Sequence, residues 1–176
     1  MEEQKSSLFK NALNWGVIMG IVLVIYSLIM WFIGLSLEKW TNWLSYLFVV
    51  VILILATINY RDKVLGGFMS YGQALGFGIL VILIGVVISS IYNYIFMTFI
   101  DPEIINKMLA MQEEDFLKSG LTDDQIDRTM EMTKKFMTPL VISIMIIPVS
   151  VFFGFIITLI TSIFLKKEKP EMQLNE

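Results

Sequence analysis

The sequence contains no cysteine and no histidine. The first absence excludes disulfides, thiolate catalysis and cysteine metal sites. The second removes the commonest general base and the commonest metal ligand. Charge is also scarce: Asp, Glu, Lys and Arg make up 16% of the 176 residues, against roughly a quarter in soluble domains. Four stretches lack ionisable Asp, Glu, Lys and Arg altogether: Asn11 to Leu37, Trp40 to Tyr60, Val64 to Ile100 and Met137 to Leu165. Proton relays, ion-coupling sites and voltage sensors normally need such a residue inside the membrane. A membrane hydrolase would need paired carboxylates or a serine with a base, and Ser89, Ser90 and Ser150 have no evident base. No catalytic, cofactor-binding or metal residue is therefore assigned.

What is present is apolar surface. Hydrophobic residues are 56% of the chain and the mean hydropathy is +0.74. Each charge-free run exceeds the roughly 18–20 residues that cross a bilayer core of about 30 Å, and a soluble helix cannot be apolar on every face over such lengths. The expected fold class is all-α: an integral membrane protein of four transmembrane helices.

The spacing predicts a short N-terminus (1–9) and a first helix over 10–36, too long and too poor in cleavage-site residues for a signal peptide. Glu38-Lys39 forms a tight turn into a second helix over 41–60, and "YRDK" (60–63) forms the next turn. The third run, 64–100, would reach about 55 Å as straight helix, too far for one crossing. Residues 64–70 are accordingly expected as an interfacial lead-in, with the span over 71–100. A short re-entrant segment is the alternative, since Gly66-Gly67 can break a helix. Tyr92, Tyr94, Phe96 and Phe99 form an aromatic belt at the exit of that span. Asp101-Pro102 then suits a helix cap followed by a first helical position. The last span is expected over 139–165, with Pro148 kinking it. A basic flank begins the tail, 166–176, whose "PEMQLNE" end reads as disordered.

Lysine and arginine set the expected orientation. Positions 5, 10, 61, 63, 166, 167 and 169 are basic and fall on one side of a four-span chain; the 38–39 turn has one basic residue. That places both termini in the cytoplasm and residues 101–138 outside. This outer segment has five basic and nine acidic residues and reads as a hairpin of two amphipathic helices. Ile105, Met108, Leu109, Gln112 and Phe116 stripe the first; Ile126, Met130, Thr133 and Met137 stripe the second. Gly120 ends the first helix, and Thr122 with Gln125 makes a capping box for the second. Its acidic runs lack EF-hand spacing. Its methionines suit gap filling better than copper binding, with no His or Cys to anchor a metal.

Small residues recur at helix-packing spacing: Gly16 and Gly20, Gly72 and Gly76, Gly85 and Ser89, then Ser150, Gly154 and Thr158. Asn14, Asn42, Asn59, Gln73 and Asn93 are polar residues in or near the spans. Interhelical hydrogen bonding or interface anchoring is their simplest reading; a polar lining is the functional one, with Gln73 and Asn93 its foremost candidates and Pro148 a hinge.

The stretches "GGFMSYGQALGFG" and "YIFMTFIDPE", with a helical outer segment and a Pro-containing last span flanked by lysines, give the chain a wider likeness. Over about residues 8–168 it resembles the bacterial four-span membrane proteins grouped as domain of unknown function 4199. The resemblance implies an inner-membrane location and a four-helix architecture, and no activity, cofactor or catalytic residue. The expected role is non-enzymatic: a structural, scaffolding or accessory subunit. A small transporter or channel component is the first alternative and a lipid-binding or lipid-modifying protein the second. Expected partners are the lipid bilayer, and a second copy or another membrane protein docking on the hairpin. Nucleic acid is not among them.

Overall fold

The computed structural model describes residues 2–168, with side chains described from residue 7 onward. The expected disorder of the last residues lies outside that range. Among the described residues six α-helices follow one another: α1 (Glu2–Phe32), α2 (Lys39–Lys63), α3 (Tyr71–Ile95), α4 (Ile104–Lys118), α5 (Asp123–Phe136) and α6 (Pro139–Leu165). A five-residue π-helix, Phe96–Ile100, extends α3. Among the described residues four helical stretches are long and apolar enough to cross a membrane: Ser7–Phe32, Lys39–Lys63, Tyr71–Ile100 and Pro139–Leu165. The chain is thus an all-α, membrane-spanning protein.

Two compact units divide the chain. One comprises residues up to Ile88 together with Ser150 onward; the other is Ser89–Val149. In the first unit α3 is the central helix and touches the other three. Against α1, glycines make the approach possible. A Cβ added to Gly16 would lie 2.6 Å from Ile84 Cβ, and one added to Gly20 would lie 2.7 Å from Ile88 Cγ2. Met19 of α1 fills the reciprocal notch at Gly85 of α3. Against α6, Ile82 fits over Gly154, while Thr158 fits over Gly78. Against α2, the rings of Tyr60 and Phe77 stack with centroids 4.3 Å apart and planes 6° from parallel. Leu53, Ala56, Phe77 and Val81 are wholly buried in this core. Since lipid is as apolar as leucine, close packing of this kind holds membrane helices together in place of a hydrophobic drive.

The connections of this unit are short. Gly34 (φ +78°) turns the chain after α1, so the helix ends at Phe32 rather than at 36. Tyr26 of α1 donates its hydroxyl to the Thr41 carbonyl of α2 at 2.7 Å. Between α2 and α3, Gly66 and Gly67 both have positive φ (69° and 89°), which only glycine adopts readily. Residues 64–70 are not helical. Met69 and Lys167 form an antiparallel bridge across this connection, each N–H donating to the other's carbonyl at 2.8 and 2.9 Å.

The second unit contains the end of α3, the π-helix, α4, α5 and the start of α6. In the π-helix the Asp101 N–H reaches back five residues to the Phe96 carbonyl, 2.9 Å away. Ile104, Ile126 and Met130 are buried, and Ile105, Met108, Leu109, Phe116, Thr133 and Met137 are half-buried along the same stripes. Gln125 accepts the Thr122 N–H at 3.1 Å at the start of α5. Asp101 does not occupy the cap position of α4; Glu103 does. The Asp101 carbonyl instead accepts the Ile104 N–H at 3.1 Å, closing a turn around Pro102. Its nearly buried carboxylate meets Lys107 Nζ at 3.2 Å.

Candidate functional site

Polar side chains in an apolar chain are the natural starting point, because each must be satisfied in a medium without water. Most of those inside the spans bond to helix backbone. Thr57 donates to the Leu53 carbonyl at 2.8 Å, Thr158 to Gly154 at 2.7 Å, and Thr161 to Ile157 at 2.9 Å. Asn93 is half-buried and donates its amide to the Ser89 carbonyl of its own helix, at 2.9 Å. Ser90 reaches across to α6 and donates to the Ser143 carbonyl at 2.6 Å. The hydroxyls of Ser89 and Ser143 are buried without a hydrogen-bond partner. Ser89, Ser90, Asn93 and Ser143 therefore form a small polar cluster in the Ser89–Val149 unit.

Gln73 sits elsewhere, exposed in the first turn of α3. Its side-chain oxygen accepts the Ser70 N–H at 2.9 Å, and Ser70 Oγ accepts the Gln73 N–H at 3.3 Å. The pair is a reciprocal capping box, and the spacing Ser70-x-x-Gln73 was the sequence signal for it. Gly72 and Gly76 have nothing within 4 Å of an added Cβ; the close approach on this helix falls at Gly78 and Gly85. Ser150 is half-buried. Pro148 lies exposed within an α6 that continues past it, and its missing N–H leaves the Ile144 carbonyl without its usual helical donor.

Charge gathers beside the bridge of Met69 and Lys167. Arg61 bonds through Nη1 to the Leu165 carbonyl at 3.2 Å and through Nε to Asp62 at 2.7 Å. Lys167 Nζ stands 5.7 Å from the centre of the Phe68 ring, a cation–π distance. Lys166 pairs with Glu168 at 3.2 Å, and Lys63 is exposed. In the outer segment, Glu114 lies 2.8 Å from Lys118 and holds that ammonium above its ordinary pKa, chiefly through this hydrogen bond. Among the described residues no three acidic side chains are grouped as a metal would require.

The family model described as "Protein of unknown function (DUF4199)" matches residues 14–167, and the chain belongs to that family. No curated protein and no solved structure matches it.

Proposed function

We propose that this DUF4199 protein is a non-enzymatic structural or accessory subunit of a membrane complex. In this reading it lies in the bacterial inner membrane with both termini cytoplasmic. Residues 101–138 form an external hairpin that docks a membrane-protein partner or a second copy. One observation carries the reading: most polar side chains of the spans are bonded to helix backbone, as at Thr57, Ser90, Asn93 and Thr158. The bonds of Thr57, Asn93 and Thr158 stay within their own helices and that of Ser90 joins α3 to α6; among the described residues these side chains do not converge as a nucleophile with its base or as an ion-binding set. The acidic balance of the outer segment and its exposed Leu117, Met132 and Phe136 give a partner both charge and apolar area to recognise.

The test is to extract the protein from its native membrane into lipid nanodiscs and weigh what accompanies it. A stoichiometric second protein, lost when the 101–138 segment is deleted, is the expected result. A lone monomer would overturn the accessory role. Orientation has its own test, because the chain has no cysteine: a single Ser119→Cys should react with an impermeant maleimide on whole cells, and protection from it would reverse the assignment.

A small transporter or channel component is the second reading, favoured by the buried, unpartnered hydroxyls of Ser89 and Ser143. It requires that Gln73→Leu or Pro148→Ala change a measured flux in proteoliposomes.

A further inference from the structure

The basic residues at the ends of α2 and α6 are expected of span termini on the cytoplasmic side; what the structure adds is that they are brought together with the start of α3. The residues involved are distant in sequence, and two backbone hydrogen bonds between Met69 and Lys167 hold them together. The Arg61 guanidinium adds a third link to the Leu165 carbonyl. Four basic side chains thus share this end, Arg61, Lys63, Lys166 and Lys167, against two acidic ones, Asp62 and Glu168.

The acidic partners leave positive charge uncompensated. Arg61 is taken up by Asp62 and the Leu165 carbonyl, and Lys166 by Glu168; Asp62 also lies within electrostatic reach of Lys167, so two acidic groups face four basic ones. Lys63 and Lys167 remain exposed, the latter lying over the Phe68 ring. The start of α3 follows Met69 by two residues, so the positive end of its dipole adds to the same field. The depth is also defined. Lys63 closes α2, a span of 25 residues, and Lys166 follows α6, a span of 27. Helices of about 37–40 Å carry their last turns to the headgroup layer of a bilayer whose core is about 30 Å.

We propose that this end is a binding site for the phosphodiester headgroup of an anionic lipid. Lys63 and Lys167 contact the phosphate oxygens, while Arg61 and the Met69–Lys167 bridge hold the two lysines in place. A lipid is the source rather than a dissolved phosphate, because the cations lie at headgroup depth. Phe68, half-buried beneath Lys167, offers apolar surface that an inorganic ion cannot use. Gly72 and Gly76, with open space beside them at the start of α3, leave room for the first carbons of an acyl chain. Basic clusters between span ends are suited to such headgroups, and each basic residue near an anionic surface is worth about 1 kcal/mol. The site is independent of whether the protein serves as an accessory subunit.

The experiment uses the full chain in nanodiscs of phosphatidylcholine with a minor share of phosphatidylglycerol. Gentle release into detergent is followed by native mass spectrometry of the lipids retained. The wild-type protein should retain phosphatidylglycerol preferentially. Lys63→Gln with Lys167→Gln should lower that preference by about fivefold per lysine, as ~1 kcal/mol each implies. Arg128→Gln with Lys134→Gln and Lys135→Gln, all in α5, should leave it unchanged. An unaltered helical circular dichroism spectrum shows that the lysine variant is folded, and both lysines are exposed, so the substitution disturbs no core. Equal retention of the two lipids by the wild type would overturn the proposal, as would an equal effect of the two sets of substitutions. Millimolar inorganic phosphate that displaces phosphatidylglycerol completely would assign the site to a dissolved anion instead.

Discussion

Ser90 donates its hydroxyl to the Ser143 carbonyl at 2.6 Å, across 53 residues of sequence, and both residues are buried. The bond joins the outgoing end of α3 to the incoming end of α6, and the whole of α4 and α5 lies between them in the chain. In the membrane, interhelical bonds average about 0.6 kcal/mol and reach ~1.7 kcal/mol. Ser90→Ala should therefore lower unfolding stability by an amount in that range, measured by steric trapping in bicelles. An unchanged stability would mean that the bond makes no net contribution.

The glycines divide by what stands beside them. Gly20→Ala drives a methyl to 2.7 Å from Ile88 Cγ2, and overpacking of this kind costs about 1–3 kcal/mol. Gly76→Ala meets nothing within 4 Å and should be neutral or stabilising by up to about 1 kcal/mol, through helix propensity alone. Thermal unfolding of the two variants side by side distinguishes packing glycines from bystanders. Equal effects would contradict the packing described.

Phe77 is wholly buried and stacks on Tyr60. Phe77→Ala leaves a cavity at the centre of the unit and should cost about 3–5 kcal/mol, read as loss of monodisperse protein on extraction. Phe77→Leu, which keeps most of the volume, should recover a large part of it. Failure of leucine to rescue would indicate that the ring stacking, and not the volume, matters.

The bridge between Met69 and Lys167 should be detectable by amide exchange. Met69→Pro removes the N–H that donates to the Lys167 carbonyl. Losing one of two hydrogen bonds, worth about 1 kcal/mol net, should speed exchange at the Lys167 amide roughly fivefold. Amides in the middle of α2 should be unaffected. Uniform acceleration along the chain would point to global destabilisation instead.

The legible part of the fold was the four charge-free runs, because hydropathy over some twenty residues depends on composition and not on contacts. Helix ends were less so. Residues 33–37 are as apolar as the helix before them, and only the conformation of Gly34, at φ +78°, separates the two. The π-helix at Phe96–Ile100 has no composition of its own. A small-xxx-small pattern shows which glycines share a face, but not which face meets a neighbour. Gly16 and Gly20 met one, Gly72 and Gly76 did not, and Gly78, which pairs with Thr158, lay outside the spacings singled out. The charged end formed by residues 61–63 and 165–168 depends on a pairing of residues 98 positions apart, for which no local pattern exists. Gln73 was open to a closer reading: Ser70-x-x-Gln73 is a capping spacing, and the side chain bonds accordingly.

The central position of α3 has a consequence for how the protein is made. Chains enter the membrane from the N-terminus, so α1 and α2 are present before their shared neighbour. Until α3 arrives, the notches at Gly16 and Gly20 have no Ile84 or Ile88 to fill them, and Tyr60 has no ring to stack on. The first two helices are held to each other near the α1–α2 turn by Tyr26, through Thr41 and Phe48. Insertion of the third helix is the assembly step, and a chain released after residue 70 would leave two helices whose surfaces for α3 face lipid.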